Sequence, residues 1–101
     1  MKLRIKNISN STEIHIDDNI KSLSDNDSIK HAIERAWNDD SDKQIEIYIN
    51  DSFIITSSVI GFLIKFIKKD KMKLRLNICN EELYEMLDDM NLIEALHVRK
   101  V

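Results

Sequence analysis

Proline is absent from this 101-residue chain, glycine occurs once, at Gly61, and cysteine once, at Cys79. Each scarcity excludes something. Phosphate loops and dinucleotide fingerprints need several glycines for close backbone approach, so P-loop and Rossmann readings fail. A lone cysteine forms no internal disulfide, brings no second thiol to a metal and suits a reducing cytoplasm. Charge of one sign is also missing in quantity: 15 basic and 18 acidic residues leave a net −3. No overall basic field therefore draws the chain to nucleic acid or anionic lipid. The first residues, Met-Lys-Leu-Arg-Ile-Lys-Asn, lack the apolar run of a signal peptide. The longest uncharged apolar stretch, Ser52 to Ile64, is too short to cross a bilayer and is expected in a core.

What is present suits one domain over residues 1–101. A hydrophobic content of 43% can fill a core without metal or disulfide support, and 33% charged residues solvate the surface. Five segments alternate apolar and polar residues at the strand period: Leu3 to Lys6, Glu13 to Asp17, Ile45 to Ile49, Leu74 to Ile78 and Leu96 to Arg99. Such alternation predicts one face in the core and one in water, the outer face carrying Arg4, Lys6, His15, Glu46, Tyr48, Arg75, Asn77, His97 and Arg99. Three stripes follow the helical period. The first is Ile29, Ala32, Ile33, Ala36 and Trp37, with Ser24, Asp25 or Asp27 as cap and Trp37 in the core. The second is Val59, Ile60, Leu63, Ile64, Phe66 and Ile67; the third, opened by Asn80, is Leu83, Met86, Leu87 and Met90. Asp and Ser cluster at Ser22 to Ser28 and at Asn38 to Asp42, which predicts loops. The order is ββαβαβαβ: an α/β fold in two layers, a mixed five-stranded sheet with helices on one face.

One junction carries the functional signal. Phe53 to Ile55 is expected to end a strand and Val59 to open a helix, so Thr56, Ser57 and Ser58 sit at the handover. A hydroxyl there can cap the helix, close to its unpaired N–H groups and the positive end of its dipole. Helix capping alone accounts for the spacing. If phosphorylated, the same site would hold about −1.5 to −2 charges at that positive end.

The element order and these junction residues together resemble the STAS domain of bacterial anti-sigma factor antagonists. That family carries Asp-Ser-Ser-Gly-Leu-Gly opening a helix after a strand; the matching run is Thr56-Ser57-Ser58-Val59-Ile60-Gly61. Lys68 to Met72, Lys73 to Ile78, Glu81 to Met90 and the pair Asn91-Leu92 look like the family's basic turn, strand, helix and Gly-Leu pair. The resemblance implies partner switching without catalysis. Ser57 takes the place of the serine phosphorylated by a kinase that is also the anti-sigma factor. The partner surface implied is Thr56, Ser57, Ser58, Val59 and Phe62. Two departures stand out: Thr56 replaces the family's acid and Val59 its first glycine. Both suit a second possibility, a STAS-like structural subunit of a phospholipid-transport assembly with an ATPase. Gly61 is expected to let its helix pack closely on a neighbour.

Other chemistries find less. A serine hydrolase would need a base near Ser57, yet His15, His31 and His97 lie on two strand faces and the first helix, and no G-x-S-x-G elbow is present. His15, Asp17 and Asp18 read as ordinary surface groups rather than metal ligands. The run Lys65, Lys68, Lys69, Lys71, Lys73, Arg75 has no interleaved exposed aromatic platform, Phe62 and Phe66 being expected inside, and reads as a solvated helix end. Against it stand six acidic residues between Glu81 and Glu94, a dipolar surface that could steer a protein partner or a second copy. No cofactor is called for.

Overall fold

Period-two alternation becomes five strands and the 3.6 period three helices in the computed structural model, which describes residues 1–101. The order is β1 (Lys2–Asn7), β2 (Ser11–Asp17), α1 (Leu23–Asp39), β3 (Gln44–Ile49), α2 (Ser57–Lys68), β4 (Leu74–Ile78), α3 (Glu81–Asp89) and β5 (Val98–Lys100). The sheet runs β1-β2-β3-β4-β5. β1 pairs antiparallel with β2, and every later pairing is parallel. Each parallel pair is joined through a helix. Right-handed crossovers that all step the same way across a sheet put their helices on one face.

That face is the core. Ile14, Ile47 and Leu76 form one row across the three central strands, continued by Val98. The three are at most 1% exposed and pack in one cluster with Ile29 and Ile33 of α1, Leu63 and Phe66 of α2, and Leu83 and Leu87 of α3. Burying each such side chain stabilises by about 1.5–3 kcal/mol. A slip of one residue would turn the whole row to water, so burial sets the register.

The opposite face carries no helix and is polar. Arg4, His15, Tyr48, Asn77 and Arg99 form its central row. Contrary to the expectation of a fully wet face, Glu46 is 8% exposed and Asn77 0%. Asn77 Nδ2 donates to Glu46 Oε1 at 2.9 Å, and Arg99 Nε donates to Asn77 Oδ1 at 2.9 Å. Arg75 and Arg99 both ion-pair with Glu46, so long arginine stems roof the two central residues.

The helix ends correct the sequence reading in places. α1 begins at Leu23, so most of the Ser22 to Ser28 stretch expected as loop is helix. Its cap is Ser22, not Ser24, Asp25 or Asp27: the Ser22 hydroxyl accepts from Asp25 N, and the Asp25 carboxylate accepts from Ser22 N. Asn38 and Asp39, also expected in a loop, are the last residues of α1. Asn80 caps α3 as expected, accepting from Leu83 N at 2.9 Å. Beyond the end of α3, Asn91 at φ 59 closes the helix, with Leu92 N bonded to Leu87 O and Asn91 N to Asp88 O. This left-handed closure usually takes glycine, and asparagine is its common substitute. β5 starts two residues late: Leu96 reaches the core from a turn, and His97 at φ 50 breaks the alternation before Val98. No helix is long and apolar enough to cross a membrane.

Candidate functional site

β3 stops at Ile49, so Phe53 to Ile55 do not end a strand; residues 50–56 form a loop leading to α2. The loop is laced to residues 18–22, which join β2 to α1. Asp51 Oδ2 accepts from Asp18 N at 3.1 Å. The Ser52 hydroxyl, 0% exposed, accepts from Ile20 N at 3.4 Å and donates to Ile54 O at 2.6 Å. One turn into α1, Asn26 Oδ1 accepts from the Thr56 hydroxyl at 3.0 Å. Two bonds between the loops and a third from Thr56 to α1 tie the rim beside α2.

Thr56 is the cap. Its backbone is extended, φ −79 and ψ 156, and its Oγ1 accepts from Val59 N at 3.2 Å. The same oxygen therefore accepts from α2 and donates to α1. Ser57 and Ser58, the first two residues of α2, are exposed, and neither hydroxyl makes a hydrogen bond within the protein. The N–H groups of Ser57 and Ser58 precede the first intrahelical acceptor, which Ile60 N reaches at Thr56 O. Two free hydroxyls and two free N–H groups thus share one exposed turn.

Val59, expected at a partner surface, is 1% exposed and belongs to the core. The helical period turns it inward, opposite Ser58. Phe62 is half-buried, its ring 5.7 Å from that of Phe66. Gly61 is exposed, and a Cβ built on it would meet nothing within 4 Å. The expected close packing at Gly61 is therefore absent.

Three exposed apolar residues, at the start of α1 and in the loop before α2, were not anticipated: Leu23 at 78%, Phe53 at 55% and Ile54 at 42%. Composition assigned Phe53 and Ile54 to the core. The signal against that was positional, since both lie after the last strand-period residue and before the cap.

His15 and His97 are engaged elsewhere. His15 Nε2 lies 2.9 Å from Glu13 Oε1, Asn50 Nδ2 lies 3.3 Å from His15 Nδ1, and the ring stacks on Tyr48 at 4.5 Å. His97 Nδ1 donates to Leu74 O at 2.9 Å. No imidazole hydrogen-bonds to Ser57 or Ser58. The Asp17 carboxylate accepts two hydrogen bonds from the Arg4 guanidinium and one from the Asn50 amide, which hold its carboxyl well below the usual range. The backbone N–H groups of Lys21 and Ser22 hold the Asp25 carboxyl down in the same direction. No group of three His, Cys, Asp or Glu side chains converges as a metal would require.

The molecule's two grooves lie away from this turn. One, about 500 Å³, runs between Glu34, Trp37 and Asn38 of α1 and Lys65, Phe66, Asp70 and Met72. Trp37 lines it half-buried instead of lying wholly in the core. The other, about 370 Å³, is lined by Asp88, Asn91, Ile93 and Glu94. Against known proteins, no family model matches the chain and no curated protein does.

Proposed function

We propose that the chain is a STAS-like protein-interaction module working in the cytoplasm, whose contact surface is the start of α2 and which switches partners through Ser57. The observation that carries this reading is the division of labour among three hydroxyls. Thr56 does the capping, so Ser57 and Ser58 are left exposed with no structural task. A phosphate on Ser57 would lie beside the two free N–H groups and the positive helix end, which favours it in the free protein. In a complex the same charge would have to be desolvated, which costs several kcal/mol without a paired cation. Docking with the hydroxyl and release with the phosphate follow from that difference. The contact comprises Thr56, Ser57, Ser58 and half-buried Phe62, with Val59 holding the turn from inside. The partner is a kinase-like anti-sigma factor or a related regulator.

Thr56 also supports a second reading. The family's carboxylate is absent, and the hydroxyl in its place is occupied by Val59 N and Asn26. A structural subunit of a phospholipid-transport assembly would need no phosphotransfer at this site. Incubation with the captured partner and ATP, followed by intact-mass measurement, separates the two. One added phosphate, lost in Ser57→Ala, supports switching; a partner that binds tightly without modifying Ser57 supports the structural role. Ser57→Asp is expected to weaken a switching partner at least about tenfold, the equivalent of 1.4 kcal/mol. Unchanged affinity would remove Ser57 as the switch. That His15 and His97 bond elsewhere supports the interaction reading over a hydrolase using Ser57.

A further inference from the structure

The groove between α1 and α2 repeats one arrangement, an aromatic ring with a carboxylate, and only one of the two is filled. Phe66 and Met72, both buried, line it together with half-buried Trp37. On the α2 side the protein supplies its own cation. Lys65 Nζ lies 5.5 Å from the centre of the Phe66 ring and 3.4 Å from Asp70 Oδ2. The ring face and the carboxylate both attract that ammonium. On the α1 side stand Glu34 and Trp37, spaced to lie on one face of the helix. They hold no cation: Glu34 is in none of the protein's ion pairs, although Lys30 precedes it by one turn. The end of α1 adds to the demand. Its last turn has no basic residue, whereas that of α2 has Lys65 and Lys68. Asp39 and Asp40, both exposed, stand at the negative end of the α1 dipole, where cations are favoured and acids are not. Arg35 and Lys43 flank this end, yet neither ion-pairs with Glu34, Asp39 or Asp40.

We propose that the α1 side of this groove receives an arginine side chain of a protein partner, its guanidinium stacked on Trp37 and paired with Glu34. Arginine suits the place better than lysine, because a planar guanidinium stacks on indole while its edge donors still reach a carboxylate. Lys65, with Lys68 and Lys69 at the end of α2, repels a second cation on that side and directs the guest to α1. The groove's volume, about 500 Å³, also leaves room for residues that flank the arginine in a partner chain. This contact stands apart from the start of α2. From Ser57 to Phe66 the helix rises about 13 Å, beyond the roughly 8 Å over which salt screens charge. The proposal therefore holds whether or not Ser57 switches.

Titrating the isotopically labelled full chain with the capped peptide acetyl-Gly-Arg-Gly-amide tests this by NMR. Trp37 is the only tryptophan, so its indole N–H gives a single signal that reports on the groove. That signal and the backbone amides of Glu34 and Lys65 are expected to shift saturably, with half-saturation on the order of 1 mM. The citrulline peptide, neutral and of the same shape, and the glutamate peptide should leave them in place. The lysine peptide should need at least about threefold more for the same shift. Glu34→Gln should raise the arginine peptide's half-saturation about fivefold. No saturable shift at Trp37, an equal response to the citrulline or lysine peptide, or shifts centred on acidic α3 overturns the proposal. A Glu34→Gln chain that keeps the parent spectrum and binds as tightly overturns it as well; if that variant does not fold, the peptide series on the parent chain decides alone.

Discussion

Thr56→Ala separates the cap from everything else at the turn, and its cost can be worked from two bonds. Losing the acceptor for Val59 N removes a helix cap, about 0.5–2 kcal/mol. Losing the donor to Asn26 strands Oδ1 of a side chain that is 6% exposed and has no other partner in the protein, about 1–3 kcal/mol. Thr56 is half-buried, so water reaches part of the gap and moderates the second loss. A total of about 2–3 kcal/mol is expected, a large share of the roughly 5–15 kcal/mol of a small domain. In urea unfolding the midpoint should fall with the slope unchanged. At roughly 4–8 °C per kcal/mol, Tm should drop by about 10–20 °C. Thr56→Ser keeps both bonds and should lie within about 0.5 kcal/mol of the parent chain. A double-mutant cycle with Asn26→Ala should return a coupling of at least about 0.5 kcal/mol. If Thr56→Ser loses as much as Thr56→Ala, or the cycle shows no coupling, the two-bond account is wrong. Thr56→Asp should fall between them, because a carboxylate caps α2 but donates nothing to Asn26 Oδ1.

Three further outcomes follow. Gly61→Ala should raise stability by about 0.5–1 kcal/mol in chemical denaturation, since the added methyl meets open space and the helix loses its most flexible residue; destabilisation would mean a hidden neighbour. Asn77→Ala should cost about 1–3 kcal/mol in the same assay, because it strips Glu46 Oε1 and the Ile47 carbonyl of their amide donor. Asp17 has a lower pKa folded than unfolded, so its contribution is complete above the ordinary carboxylate range and lost as pH falls through that range towards the folded value. Asp17→Asn should therefore flatten stability against pH below about pH 5, and an unchanged acid limb would exclude this carboxylate as a source.

Alternation made the strands legible because only one face of the sheet is covered; had helices lain on both, β3 and β4 would read as unbroken apolar runs. The same rule misjudged Glu46 and Asn77, whose burial comes from Arg75 and Arg99 on neighbouring strands. Polar density misled at Ser22 to Ser28, since the residue types that make loops also make caps and first turns. Asn26 is the sharper case. It lies in a run of Ser and Asp, yet its burial depends on Thr56, thirty residues on. Phe53 and Ile54 failed in the opposite sense, being apolar but placed after β3 had ended.

These misses bear on the functional reading. With three consecutive hydroxyls at a junction, sequence allows any one of them to cap, and a serine that caps has a structural reason to exist. The choice is made by Asn26, which draws the Thr56 hydroxyl into α1 and aligns the same oxygen with Val59 N. Ser57 and Ser58 are thereby left on the exposed first turn of α2. A buried contact with α1 thus separates the cap from the neighbouring serines. If Asn26→Ala let Ser57 take over the cap, its hydroxyl would lose that freedom, and accessibility of Ser57 to a kinase should fall together with stability.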